Sequence, residues 1–248
     1  MPLPRAILLL LVTLLTSGAA RAMEPERLEY DITWVGISIG TMVVQNELDA
    51  DGHPVRLLRM WNRPWIARFY PVDTTIECSI IPGPDGPCHV VQKHVRENTF
   101  RQDDTLQLWP AQGRAVWSNQ LTQTATAFTT PTGAHDVVTF FFDLRNMLST
   151  APNPTDGDYE LVMDDGVHGL TLHIGEAQRI RTPFGRVEAV QVEAISKSPT
   201  LFSRNRPKAV WVATQQPVVL VADVDSRFGS VRATLTQWTR GHKPVPVE

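Results

Sequence analysis

Leu28, Tyr30, Ile32 and Trp34 alternate with Glu29, Asp31 and Thr33, which places four large apolar groups on one face of a half-buried strand. Gly36 to Gly40 then turns the chain, and residues 41–48 read as a returning strand. The same period-two signature recurs at Tyr159, Leu161 and Met163, and again at Leu170, Leu172 and Ile174. It continues over residues 187–194, 209–214 and 218–224, and at Val231, Ala233 and Leu235. Turn signals at Asp51-Gly52, Asp165-Gly166, Pro183-Phe184-Gly185, Gln216-Pro217 and Phe228-Gly229 separate runs of about 6 to 10 residues, the rhythm of an antiparallel sandwich or barrel. The pattern predicts an all-β, mainly antiparallel fold: a curved sheet, half-barrel or barrel of roughly a dozen strands.

One segment has a different period. Between Asp136 and Ser149, the side chains of Val137, Phe140, Phe141, Leu144, Met147 and Leu148 fall within about 120° of arc at 100° per residue, so residues 136–149 are predicted to form one helix packed on the sheet. Asp136 is its N-cap. Val138 and Phe142 lie outside that stripe and form a second apolar strip. Two explanations stay open: burial between sheet and loops, or a helix that lids an apolar cavity. The segment from Asn153 to Gly157 is too short a linker for a separate domain, so residues 23–248 are expected to fold as a single β-rich unit.

The N-terminus changes the picture of where this unit works. Arg5 precedes an apolar run from Ala6 to Leu15, and the segment closes with small residues ending at Ala22, the three regions of a cleavable secretory signal. Residues 1–22 are therefore expected to be a signal peptide cleaved after Ala22, delivering the protein to the periplasm. A membrane anchor is the alternative, but the apolar run of about ten residues falls short of the roughly 20 that span a bilayer. The mature chain is expected to have no transmembrane segment.

Charge narrows the partners. The chain has 248 residues with 23 basic and 26 acidic groups, and is 42% hydrophobic and 20% charged. This composition excludes disorder, collagen and coiled coil. It offers no basic run for a phosphate backbone, so nucleic acid is not an expected partner.

The two cysteines, Cys78 and Cys88, flank the Pro/Gly-rich stretch from Pro82 to Pro87, which reads as a hairpin loop. In an oxidising compartment two strand ends over such a loop can meet within disulfide range. A Cys78 to Cys88 disulfide is the expectation, and two free or buried thiols the alternative. A structural zinc site needs four ligands, so neither a metal nor another cofactor is expected.

Other chemical signals lack context. Gly36-Ile37-Ser38-Ile39-Gly40 matches the string of a serine hydrolase elbow, but a β-prone stretch follows where that motif requires a helix. His89 and His94, like His168 and His173, are five apart, and this odd spacing points them to opposite faces of a strand. His135-Asp136 suits an acid/base pair in principle, while Asp136 is more simply a cap. Asp103-Asp104 and Asp164-Asp165 read as acidic doublets in turns. No catalytic residue is expected. The densest aromatic and basic stretch runs from Arg59 to Tyr70; its arginines suit an anion and its tryptophans suit anchoring, although a solvated strand edge explains them too.

The stretch from Leu28 to Gly40 resembles the opening of the bacterial family called domain of unknown function 3108, with its tyrosine strand, G-I-x-x-G turn and second strand. Tyr70-Pro71-Val72-Asp73, Phe142-Asp143-Leu144-Arg145, Thr182-Pro183-Phe184-Gly185-Arg186-Val187 and Val210-Trp211-Val212 followed by Gln216-Pro217-Val218 are similar to later blocks of that family. The resemblance implies an exported β-rich envelope protein and carries no catalytic residues. It also places Tyr70, Asp73, Arg145 and Trp211 in recurring blocks.

Three functions follow as expectations. The first is a non-enzymatic carrier of a lipid or lipid-linked amphiphile in the concave sheet, with Val138 and Phe142 facing the cavity, Trp61 and Trp65 at its rim, and Arg68 or Arg145 on an anionic head group. The second is a structural or assembly factor whose sheet edges bind envelope proteins. The third is a hydrolase.

Overall fold

The structure, a computed structural model, describes residues 23–150, 154–197, 205–226 and 229–247. The expected signal peptide and its cleavage point lie outside the described residues.

A single twisted sheet organises the chain. Strands β1 (Glu26–Trp34), β2 (Ile37–Leu48) and β3 (Pro54–Asn62) meander outward, and a one-turn helix α1 (Pro64–Ala67) leads into β4 (Val72–Ile81), β5 (Cys88–Glu97) and β6 (Phe100–Trp109). The meander ends with β7 (Arg114–Asn119) and β8 (Thr124–Thr129). A two-residue strand β9 (His135–Asp136) and the long helix α2 (Val137–Thr150) then carry the chain across. From there β10 (Gly157–Met163), β11 (Gly166–Thr182), β12 (Gly185–Ser196), β13 (Asn205–Ala213), β14 (Val219–Ser226) and β15 (Gly229–Arg240) meander back, and β16 (Lys243–Pro244) folds onto β15.

The spatial order runs from β8 through β1, then β15 and on to β9, with every pairing antiparallel except β9 on β10. The first and last long strands therefore meet in the middle of the sheet, where Leu28 faces Trp238 and Tyr30 faces Leu235. Among the described residues the sheet has 16 strands, more than the dozen or so that alternation alone suggests. Its first half hides strands because polar side chains such as Arg56, His89, Lys93 and Asp104 face inward, which breaks the apolar period.

The sheet is curved and unclosed. Lys93 on β5 reaches Asp164 beyond β10 at 2.7 Å, and Gln102 on β6 donates to the same carboxylate at 3.0 Å. The two halves of the sheet thus face one another across the interior, while β8 and β9 remain unpaired edges of the path.

Helix α2 fills that interior. Asp136 caps it as expected, its Oδ1 accepting from the N–H groups of Val138 (3.0 Å) and Thr139 (2.8 Å). Buried side chains occur nearly all round it, including Val138, Phe140, Phe142, Leu144, Arg145 and Leu148. A helix apolar on all sides belongs in a core rather than on a surface. The strip of Val138 and Phe142 is the most deeply buried part, each at 1% exposure. A partly open space beside α2, lined by Ile76, Val91, Asp136 and Val162, measures about 30 Å³, room for about one water. The expected amphiphile cavity under a helical lid is accordingly corrected: the helix occupies the concave space itself.

Two guanidinium groups lie over the Phe142 ring, Arg145 at 4.5 Å and Arg56 at 5.1 Å from its centre. Phe142→Ala is expected to cost about 3 to 5 kcal/mol of unfolding free energy, the range for emptying a packed aromatic site. Trp65→Ala, on an exposed turn, is expected to change stability by less than about 0.5 kcal/mol. Urea unfolding of the two variants checks the contrast.

Candidate functional site

Two groups of side chains stand out, one sealed inside and one on the surface. Inside, Cys78 on β4, His89 on β5 and Asp136 at the head of α2 converge. Ile80 pairs with His89 and Cys78 with Val91, and directly opposed residues share a face, so Cys78 and His89 both point inward two rows apart. His89 Nδ1 donates to Asp136 Oδ2 at 2.8 Å, Cys78 Sγ donates to the same oxygen at 3.6 Å, and Thr139 Oγ1 lies 3.7 Å from the sulfur. Burial opposes ionisation of Asp136, but the hydrogen bonds from His89 and Thr139 outweigh it and hold the carboxyl below the usual aspartate range. Burial, aided by the adjacent carboxylate, pushes the Cys78 thiol well up, the opposite of an activated nucleophile.

The register also separates the cysteines. Cys88 pairs with Ile81, an odd three positions from Cys78, so the two side chains leave opposite faces of the sheet. Both are free, and the expected disulfide is corrected. The hairpin forms as foreseen, but its strands end too late to bring Cys78 to the turn.

Other predicted residues separate similarly. Arg145, an expected head-group ligand, is buried and donates to Glu26 Oε2, while Glu26 Oε1 accepts from Trp238 Nε1 at 2.8 Å and Arg240 Nε at 3.0 Å. Burial resists ionising Glu26, and the arginines and the indole override it to lower its pKa. Trp211 is half-buried against the core, between Gln191 and Val221. Tyr70 donates to Glu97 at 2.6 Å. Ser38 donates to Asp31 at 2.5 Å and accepts from Arg63 at 3.2 Å. His135 pairs with Asp143 at 3.3 Å rather than with its neighbour Asp136. His89 is buried and His94 is exposed, as their odd spacing requires. Asp103 and Asp104 lie within β6, not in a turn: Asp103 meets His94 at 3.0 Å and Asp104 accepts from Asn119 at 2.6 Å.

The surface group lies on the outer face near the β5–β6 turn. Trp61, Asp73, Arg96 and Arg101 are successive cross-strand partners on β3, β4, β5 and β6, and Arg59 joins them two residues from Trp61. They line a groove of about 350 Å³ bounded by Ala67 and Pro71. Arg59 lies over Trp61 at 5.3 Å and meets Asp73 at 3.5 Å. Arg96 faces Arg101 directly, a like-charge pairing that weakens a sheet unless an anion compensates it.

Above the groove, the turns at this end of the sheet carry an apolar rim. It consists of Trp34, Val35 and Ile37 at the β1–β2 turn, Trp65 and Phe69 around α1, Phe100 after the β5–β6 turn and Leu121 in the β7–β8 turn, all exposed. Val35 and Phe69 are the extremes, at 78% and 81%. Val35 also holds a φ of 50°, a left-handed conformation that strains a β-branched residue. Arg63 and exposed Arg68 stand among these side chains. Trp61, Trp65, Arg68 and Asp73, expected from sequence, thus come together here, whereas Val138, Phe142, Arg145 and Trp211 do not. Arg59, Arg96 and Arg101 complete the group; an alternation count over β5 and β6 was the signal that could have placed the last two opposite each other.

Two outcomes follow. Glu26 and Asp136 have folded pKa values below their unfolded ones, so they stabilise the fold fully above the unfolded carboxylate range near about pH 4. That contribution is lost as pH falls through the folded values. Unfolding free energy is expected to drop on acidification below about pH 4, and Asp136→Asn to flatten the slope. Thiol labelling in denaturant is expected to find both cysteines free.

Comparison with known proteins adds a family and a fold. No curated protein matches the chain. The structure is similar to a crystal structure of a beta-barrel-like protein of domain of unknown function DUF1849 from Brucella abortus, at 15% identity and a TM-score of 0.56, covering 88% of this chain and 98% of that one. Residues 29–236 match the family described as Protein of unknown function (DUF3108), which spans the outward meander, α2 and most of the returning one, and the chain belongs to that family.

Proposed function

We propose that the protein is a non-enzymatic, periplasmic envelope component that docks on an anionic lipid surface, seating the head group in the Arg59, Arg96 and Arg101 groove. The observation that carries this reading is the gathering of exposed apolar side chains in the turns at one end of the sheet, beside a groove in which Arg59, Arg96 and Arg101 outnumber its one carboxylate, Asp73. Monomeric proteins rarely keep such a patch without a use for it. Each arginine near an anionic leaflet contributes about 1 kcal/mol, and each apolar group withdrawn from water about 1.5 to 3 kcal/mol. A few of each give reversible attachment without a spanning segment; among the described residues no helix is long and apolar enough to cross a membrane. The signal read in residues 1–22 supports the address.

A second reading has its own observation. The edge strand β8, Thr124–Thr129, is uncharged and almost wholly exposed, lacking the charges that normally protect an edge. It suits strand addition by an extended segment of an envelope protein.

Sedimentation of the mature chain with vesicles separates these readings. Binding is expected to phosphatidylcholine vesicles containing phosphatidylglycerol, to weaken with salt, and to fall at least tenfold in Trp65→Asp/Phe69→Asp. Arg96→Glu/Arg101→Glu is expected to remove the preference for anionic lipid. Equal binding by all variants, or none by the parent, overturns the proposal. A stoichiometric peptide complex abolished by Ala127→Pro on β8 would favour the second reading.

A further inference from the structure

We propose that Cys78, His89 and Asp136 form a binding site for one Zn²⁺ ion at the head of α2. The three ligand atoms come from three elements, are all buried, and lie within 4.8 Å of one another. A tetrahedral zinc ion bonded at about 2.3 Å to sulfur and about 2.0 to 2.1 Å to nitrogen and oxygen sets its ligands about 3.3 to 3.6 Å apart. The Cys78 Sγ to Asp136 Oδ2 distance is already 3.6 Å, and the His89 Nδ1 to Asp136 Oδ2 distance of 2.8 Å needs to open by only about half an ångström. Thiolate, imidazole and carboxylate together suit zinc rather than magnesium or calcium, which prefer oxygen alone.

Two further features fit. Asp136 Oδ1 is held by the N–H groups of Val138 and Thr139, an outer shell that orients the carboxylate and leaves Oδ2 for the metal. Thr139 Oγ1 lies 3.7 Å from Cys78 Sγ as a polar neighbour of the ligands, and a water taken up with the ion completes the tetrahedron. Binding transfers the Cys78 thiol proton to solvent as the sulfur–zinc bond forms, and the proton on His89 Nδ1 is exchanged through solvent for one on Nε2, which frees the Nδ1 lone pair for the metal in a still neutral imidazole. The charges of thiolate and carboxylate then cancel that of the ion, as a buried site requires. The ion would clamp β4 and β5 to the start of the helix. Sequence spacing concealed the site because its ligands are separated by 11 and 47 residues.

The test uses the tag-free mature chain in a Cys88→Ser background, so that any thiolate signal reports Cys78. Titration with Co²⁺ as a spectroscopic stand-in is expected to give a thiolate-to-cobalt charge-transfer band saturating at one equivalent and displaced by Zn²⁺. Zinc is expected to raise the melting temperature. Both effects are expected to vanish in the near-isosteric Cys78→Ser and to weaken at least tenfold in His89→Gln. Absence of the band and of the melting shift in the folded Cys88→Ser protein overturns the proposal, as does full retention of both in Cys78→Ser. Vesicle binding does not enter this readout.

Discussion

The ion pair between Arg145 and Glu26 fixes where the long helix goes, and with it the shape of the sheet. A guanidinium on the most buried strip of α2 cannot enter a protein interior unpaired, because desolvating it costs several kcal/mol. Glu26 meets it from the first residue of β1, and its other oxygen is held by Trp238 and Arg240 on β15. One carboxylate therefore ties the helix to the seam where the two ends of the chain meet. Arg145 Nε and Nη1 have no hydrogen-bond partner among the described residues, and the Phe142 ring under the guanidinium supplies a cation–π contact in their place. Removing either charge alone leaves the other stranded, which is far costlier than the pair is stabilising.

With the helix pinned at two points, by Asp136 at its start and Arg145 two-thirds along, the sheet wraps it rather than closing on itself. The hydrogen-bonded path stops at β8 and β9, and the two halves communicate through side chains, Lys93 to Asp164 and His89 to Asp136. The helix does for this fold what inward side chains do for a small closed barrel: it fills the lumen. The concave face is thus covered by the helix, and what the sheet leaves open is its turns and its outer face.

Period-two alternation made the returning meander and the N-terminal strands legible, since their inward residues are apolar. It was weaker across β4 to β7, where His89, Lys93 and Asp104 face inward and find partners on other strands or beyond them: His89 in Asp136, Lys93 in Asp164 and Asp104 in Asn119. The helix and its cap were legible because both are local. Its orientation was not, because the broader stripe of six apolar residues outvoted Val138 and Phe142, and only the position of Glu26, 119 residues from Arg145, reveals which strip meets the interior wall. The cysteine pairing failed for a related reason. A loop flanked by two cysteines gives proximity along the chain, but facing depends on register parity, and three positions put Cys78 and Cys88 on opposite sides.

The Arg59 to Tyr70 stretch shows what local composition can establish without the fold. Aromatic and basic residues close in sequence marked the region, yet the structure divides them by strand parity and by α1. Trp61 and Arg59 face outward into the groove, Asn62 donates to Tyr70 O at 2.6 Å and accepts from Val72 N at 2.7 Å to hold the turn, and Trp65 and Phe69 project at its tip. Gly40 completes the local fit, because a Cβ there would stand 2.7 Å from the Trp61 carbonyl oxygen; the close approach of β2 and β3 at the rim depends on a residue without one. Two of the three arginines that give the groove its charge, Arg96 and Arg101, come from β5 and β6, more than 25 residues later, and are united with it only by the sheet. Turns at one end of a meander are brought together by topology and not by sequence, so a surface assembled from them is visible only once the strand order is known.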